Sequence, residues 1–303
     1  VPAAPDNVIF DAASGLSAAT TVTMDVPVVV NNFDFSLAPA FILTSALPSI
    51  EIQGDLSGNG LVTFAGWAGD INLNSTGSNI LTSNGTAWMQ SFHFTGVGTV
   101  IIADNLTTTL DFYVDLGTVV SNNNTLTFRD FYSNVATIRS INFDNAIVNF
   151  EGTTWDVDPT TYTWTSNPST IFANNPATIT FTGGGQVYND LISSGSDLQI
   201  NNDNTFSLIS LAPSSQMTLA NGSTQLFDSL YTDCGPLVTT IYSAVGAPAQ
   251  LQKTGYPNFA GSHLTVDNVN AMSPGTETYS LVNSTLVNGS LGWTSSVISN
   301  YYW

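Results

Sequence analysis

Residues Trp155-Asp156-Val157-Asp158-Pro159 set two carboxylates at alternate positions beside a tryptophan, with a second tryptophan, Trp164, shortly after. On an extended chain Asp156 and Asp158 share one face, and a carboxylate pair is what acid/base cleavage of a glycosidic bond requires. Trp155 and Trp164 offer rings that could stack on a sugar, so Trp155, Asp156, Asp158 and Trp164 form the candidate carbohydrate site. A second candidate is Asp55-Leu-Ser57-Gly-Asn59-Gly60, whose Asp55, Ser57 and Asn59 resemble the first half of a calcium loop. Its twelfth position is Gly66 where a bidentate Glu belongs, so the oxygen set is incomplete. Ca2+ is the one cofactor the sequence raises.

Gly183-Gly184-Gly185 follows a β-branched run and invites comparison with a phosphate-binding loop. Such a loop needs a lysine for the terminal phosphates and a helix whose first amides face them. Here Gln186-Val-Tyr-Asn-Asp follows, with neither lysine nor helical pattern, and the expectation is a tight turn between strands. Two histidines, His93 and His263, and no Gly-x-Ser-x-Gly leave no pattern for a catalytic triad. The NTD, DD, GHG and RIK motifs of polygalacturonases are absent, and three scattered cations do not supply the basic site of a pectate lyase. The expectation is therefore a protein that is not an enzyme, with carbohydrate cleavage as the alternative.

The elements that would carry these residues are strands. Thr, Val, Ile, Phe and Tyr are plentiful, Gly, Asn and Asp recur at short intervals, and strong helix formers are scarce. Ile179-Thr-Phe181, Leu198-Gln-Ile200 and Met217-Thr-Leu219 are apolar-polar-apolar triplets at a constant interval of 19 residues. A looser series precedes them at Phe33, Ile50, Ile71, Phe92, Leu110, Leu126 and Ile141, with intervals of 15 to 21. Two or three short strands per interval make the rung of a solenoid, whereas hairpin meanders would place strands every 8–12 residues or so. The sequence predicts an all-β fold, a single-stranded parallel β-helix (β-solenoid) with rungs of about 15–21 residues.

One elongated domain over 1–303 is expected. Pro159, Pro168 and Pro176 suggest an irregular loop region at 155–177, and the aromatic segment 293–303 a cap or tail. Trp293, Tyr301, Tyr302 and Trp303 are the candidate interaction residues, for self-association or a filament or surface assembly. The single cysteine, Cys234, excludes an intrachain disulfide and reads as a small buried apolar residue.

Charge narrows the partners. Only Arg129, Arg139 and Lys253 oppose 22 acidic residues, a formal net charge of −19. No counterion-releasing patch is possible, so nucleic acid is excluded as a partner, and no segment has the roughly 20 apolar residues of a membrane span. Scarce Lys, Arg and Cys beside abundant Asn and Thr fit an extracellular or cell-surface protein, with a virion surface as the alternative. Val1-Pro2-Ala3-Ala4-Pro5, without an initiator Met, reads as a mature product or an excerpt of a longer chain.

Asp6-Asn-Val-Ile-Phe-Asp11, Thr180-Phe-Thr-Gly-Gly-Gly-Gln-Val-Tyr-Asn-Asp-Leu191, Leu264-Thr-Val-Asp-Asn-Val269 and Asn288-Gly-Ser-Leu-Gly-Trp293 resemble segments of repetitive β-rich surface and adhesin-like proteins secreted by Bacteroidota. Similar segments occur in phage structural proteins. The resemblance implies a non-catalytic extracellular β-helical scaffold or adhesin module, and it brings no active-site signature. Three functional expectations follow: a structural or adhesive solenoid, a carbohydrate-binding or carbohydrate-cleaving β-helix, and a phage virion component.

Overall fold

A computed structural model describes residues 6–67, 69–121, 123–165, 169–232, 238–254, 259–272 and 278–296. The fold is an all-β parallel solenoid, and every strand pairing recorded is parallel. It divides into two compact units: unit 1 comprises Val1–Glu151 and Thr160–Ser169, and unit 2 comprises Gly152–Pro159 and Thr170–Trp303. The Pro-containing region expected to be an irregular loop instead carries regular strands at Thr154–Val157, Tyr162–Thr165 and Thr170–Ala173. Pro159 lies between two of these strands, where its missing N–H costs no ladder bond.

Unit 1 winds through three faces. Face I stacks Val29–Val30, Ser49–Ile52, Asp70–Leu73, Ser91–Phe94, Phe112–Val114 and Phe131–Ser133. Face II stacks eight strands, from Val8–Ile9 to Ser78–Thr82, Thr99–Ile102, Gly117–Val120, Arg139–Asn142 and Tyr162–Thr165. Face III stacks Ala87–Trp88, Leu106–Thr108, Thr125–Phe128 and Ile147–Phe150. Period-2 alternation sends every second side chain inward, giving a ladder of Ile50, Ile71, Phe92, Phe112 and Phe131 in register. Phe112 is fully buried and lies 4.8 Å from Phe94 and 5.1 Å from Phe128, ring centre to ring centre. The first-half series read from sequence mixes these faces: Ile50, Ile71 and Phe92 belong to face I, Leu126 to face III and Phe33 and Ile141 to face II.

In unit 2, face IV stacks Thr154–Val157, Thr178–Thr182, Asp197–Asn201, Gln216–Leu219, Thr239–Ser243, Leu264–Asp267 and Thr285–Val287. The three triplets spaced by 19 are true ladder neighbours here, since Ile179 pairs with Leu198 and Leu198 with Met217. Face V includes Val187–Ser193, Asn204–Leu211 and Thr224–Thr232, strands of seven, eight and nine residues that turn a corner without breaking. Within them the inward residues slip from period 2 to a step of three, Tyr188 to Leu191 and Phe206 to Ile209, and the register skips Asn189 and Ser207. One residue on each strand, Asn189 beside Ser207, thus drops out of the register where the strand bends. Rung lengths exceed the expected range: Val187 pairs with Thr205, 18 on, but Thr154 pairs with Thr180, 26 on.

Candidate functional site

Turn residues spend their polar groups on the neighbouring rung. In unit 1 the Asp104 carboxylate accepts from the amides of Ser83 at 2.7 Å and Asn84 at 2.5 Å, and Asn105 Oδ1 accepts from Thr125 N at 2.8 Å. In unit 2, Asp203 accepts from Thr224 N at 2.8 Å, and Asn270, within the strand Val269–Met272, accepts from the corner amide of Leu291 at 2.9 Å. Each bond satisfies a corner amide that no strand ladder reaches.

The calcium-like loop belongs to the same scheme. Asp55 Oδ1 accepts from Ile80 N at 2.8 Å, while Asn59 donates to Ala38 O at 2.7 Å and accepts from Leu61 N at 2.9 Å. Ser57 sits in a face II strand. Asp55 and Asn59 thus bind backbone, and among the described residues no group of three or more His, Cys, Asp or Glu is placed to hold a metal ion. The triple glycine also turns as expected: Gly184 and Gly185 have φ of 63° and 73°, and their amides donate to Asn202 Oδ1 and Asn204 Oδ1 of the next rung. Amides that would face a phosphate already have acceptors.

The carbohydrate candidates are divided between the two units. Trp155 is fully buried, stacked on Phe181 at 5.4 Å and edge-on to Tyr188 at 6.3 Å, so it has no open face for a sugar. Period 2 decides this, because Trp155 and Val157 point inward and Asp156, half-buried, points outward. Asp158 follows the strand and is also half-buried. Trp164 lies in unit 1, edge-on to Phe143 at 5.5 Å. Trp293 is buried as well, with its indole N–H donating to Val269 O at 2.8 Å and its ring 5.3 Å from Tyr279. Trp293 thus packs into the last described rung. Tyr301, Tyr302 and Trp303, like Cys234, lie outside the described residues.

Two outward surfaces of unit 1 gather chemistry that the sequence did not reveal. On face I, Asn72, His93 and Tyr113 stand in register with Tyr132. His93 stacks on Tyr113 at 4.0 Å and 10°, and Tyr113 on Tyr132 at 4.9 Å and 15°. His93 Nδ1 lies 3.3 Å from Asp115 and Nε2 lies 3.7 Å from Asp70. Arg129 grips Asp111 through Nε at 2.7 Å and Nη2 at 2.6 Å, which raises the guanidinium pKa. Burial, and then the Asp111 charge, push the Tyr113 pKa up, so this phenol stays protonated and donates to Asp111 at 3.2 Å. The rings cover one another's faces, so this ladder presents edges and carboxylates to solvent, which suits cross-rung bracing better than sugar stacking.

On face II, Ser78, Thr99, Thr118, Ser140 and Thr163 form an outward hydroxyl row in register. Two positions along each strand runs an outward aliphatic row, Ile80, Ile101 and Val120. On the other side the corner residues Val97, Leu116 and Ile138 rise as a wall, and with Thr118, Ser140 and Thr163 they line an open groove of about 500 Å³. Val97 and Ile138 are 68% and 79% exposed. Tightly stacked corners lower the floor: a Cβ on Gly98 would collide with Gly77 O, and one on Gly117, at φ 75°, with Gly96 O. Beneath the wall Arg139, 1% exposed, donates to Ser133 Oγ at 2.6 Å, to Thr137 O at 2.9 Å and to the carbonyls of Ser133 and Val135. Its guanidinium also lies 5.0 Å over the Tyr162 ring. The arginine fixes the corner from inside, with its charge buried and its donors held by these neutral acceptors.

The corner offsets from Val97 to Leu116 to Ile138 repeat those from Thr99 to Thr118 to Ser140, a signal visible only once the register is known. No family model, curated protein or solved structure matches the chain.

Proposed function

We propose that the protein is a non-catalytic structural or adhesive β-solenoid, displayed on or outside a cell, that acts through its repeated outer faces. One observation carries the reading: inward positions are mostly apolar, turn polar groups join rung to rung, and outward positions repeat in register. Thr240, Thr265 and Thr285 on face IV and the hydroxyl row on face II are such repeats. Weak contacts at single rungs add up when a partner spans several of them. The shortage of basic residues and the resemblance to secreted repetitive proteins support a place outside the cytoplasm.

Beads coated with the protein, offered bacterial cells and insoluble polysaccharides, test the proposal while reducing ends released into solution are measured. Saturable retention without product is the expected result. Release of reducing ends, or retention no greater than that of albumin-coated beads, would overturn it.

A further inference from the structure

We infer that the face II groove of unit 1 binds an extended neutral polysaccharide, laid along the hydroxyl row of Ser78, Thr99, Thr118, Ser140 and Thr163. This inference rests on the adhesive reading and gives it a ligand class and a site.

Three observations converge. The first is hydrogen-bonding capacity. Polar side chains at the turns are committed to neighbouring backbone, yet the hydroxyls of these five residues make no hydrogen bond within the described residues, and all five are exposed or half-buried. A row of uncommitted donor-acceptor groups at uniform spacing is what a polyhydroxylated chain can exploit. Parallel strands lie about 4.8 Å apart, so the five hydroxyls span roughly 19 Å, several sugar residues of an extended chain.

The second is the apolar flank on each side. Val97, Leu116 and Ile138 form one rail and Ile80, Ile101 and Val120 the other, with the hydroxyls between them. A pyranose chain lying flat presents hydroxyls at its edge and C–H groups on its faces, so stripes of both kinds complement it. Ligand sites commonly pair apolar walls with a few placed polar groups.

The third is charge. The chain carries −19 overall, but the only ionisable residue lining this groove is Arg139, and its donors are held by backbone carbonyls and Ser133. The guanidinium keeps its positive charge, but with its donors occupied beneath the corner it offers a polyuronate no hydrogen bond, and the surrounding acidic field repels a polyanion while leaving a neutral chain unopposed.

The test measures depletion of the protein from solution by insoluble cellulose, chitin and β-mannan, with soluble pectate as the anionic control. Wild type should bind at least one neutral polymer and leave pectate unbound. The double variant Val97→Asp, Ile138→Asp changes two exposed side chains, so it should keep its circular dichroism while losing at least tenfold in affinity. Thr127→Asp, on the outward side of face III, should bind as wild type does. The inference fails if no neutral polymer binds, if pectate binds equally, or if the Thr127 variant loses as much as the groove variant. It also fails if light scattering shows wild type to be an oligomer that the groove variant dissociates, because a second copy of the chain then fills the groove. Retention of cells by beads carrying the groove variant, at the wild-type level, would sink this site and leave the adhesive reading standing.

Discussion

In unit 1 the rung changes direction in loops between strands of two to five residues, whereas in unit 2 it turns inside face V strands of seven to nine. The interiors also differ along one ladder of each unit. Unit 1 brings three inward-facing rows to one interior and fills it with aromatic rings, Phe112 meeting Phe94, Phe128, Phe131 and Phe143 within 6.2 Å. Along face IV of unit 2 the corresponding ladder of Ile179, Leu198, Met217, Ile241 and Val266 is largely aliphatic, and the rings of that unit cluster beside it, as Phe181, Tyr188 and Phe206 do. Loop corners display aliphatic side chains, as they do Val97 and Ile138, while a bent strand leaves only the residue at its bend, Asn189 or Ser207, outside the register.

If the contrast between cores is energetic, truncating Phe112 should cost far more than reshaping Met217. Phe112→Ala should destabilise by about 3–5 kcal/mol through lost burial and the cavity left behind, whereas Met217→Leu, nearly volume-conserving, should cost less than about 1.5 kcal/mol. Hydrogen exchange under native conditions measures both, and because rungs couple mainly to their neighbours the loss should centre on Asp70–Leu73 through Phe131–Ser133. Equal costs at the two sites would erase the contrast.

A smaller effect probes the turn that leads into the bent strand. Gly184 has φ 63°, and a Cβ there would sit 2.9 Å from Val157 O, so Gly184→Val should cost at least about 1–3 kcal/mol in backbone strain alone. Gly184→Ala should fall between the two on thermal melting. A valine variant that melts with the wild type would show that this corner relaxes freely.

The smallest effect concerns Asp190, within the first bent strand, whose pKa burial raises. A carboxyl with a folded pKa above its unfolded value binds its proton more tightly when folded. Its contribution is therefore fully present below the unfolded pKa and is lost as pH rises through the folded pKa, leaving a penalty at neutral pH. Asp190→Asn should raise the melting temperature modestly at pH 7 and leave it unchanged near pH 3, below the ordinary carboxylate range of about 3.9. A rise of equal size at both values would assign the gain to packing.

Legibility in the sequence followed the same division. The 19-residue spacing of Ile179, Leu198 and Met217 was readable because face IV strands recur without a third loop to vary the count. In unit 1 three faces share one alphabet of apolar-polar-apolar triplets, so Leu126 and Ile141 looked like further members of a ladder to which they do not belong. The alternation that turns Asp156 outward also buries Trp155, and the triplet pattern cannot rank a tryptophan as wall or platform. The groove was illegible because its residues are commonplace. Serines, threonines and aliphatics become a site only when rungs of 19 and 22 residues bring Thr99, Thr118 and Ser140 side by side.

The three basic residues have a further consequence, for survival among proteases. Arg139 and Lys253 are 1% and 6% exposed, and Lys253 Nζ donates to Asp228 O at 2.5 Å. Arg129, the one basic side chain with substantial exposure, is clamped by both oxygens of Asp111. A trypsin-like enzyme must draw an extended segment around such a residue into its cleft, and each of these three is anchored in or beside a ladder strand. While it stays folded, the chain offers digestive enzymes of that specificity almost nothing to cut.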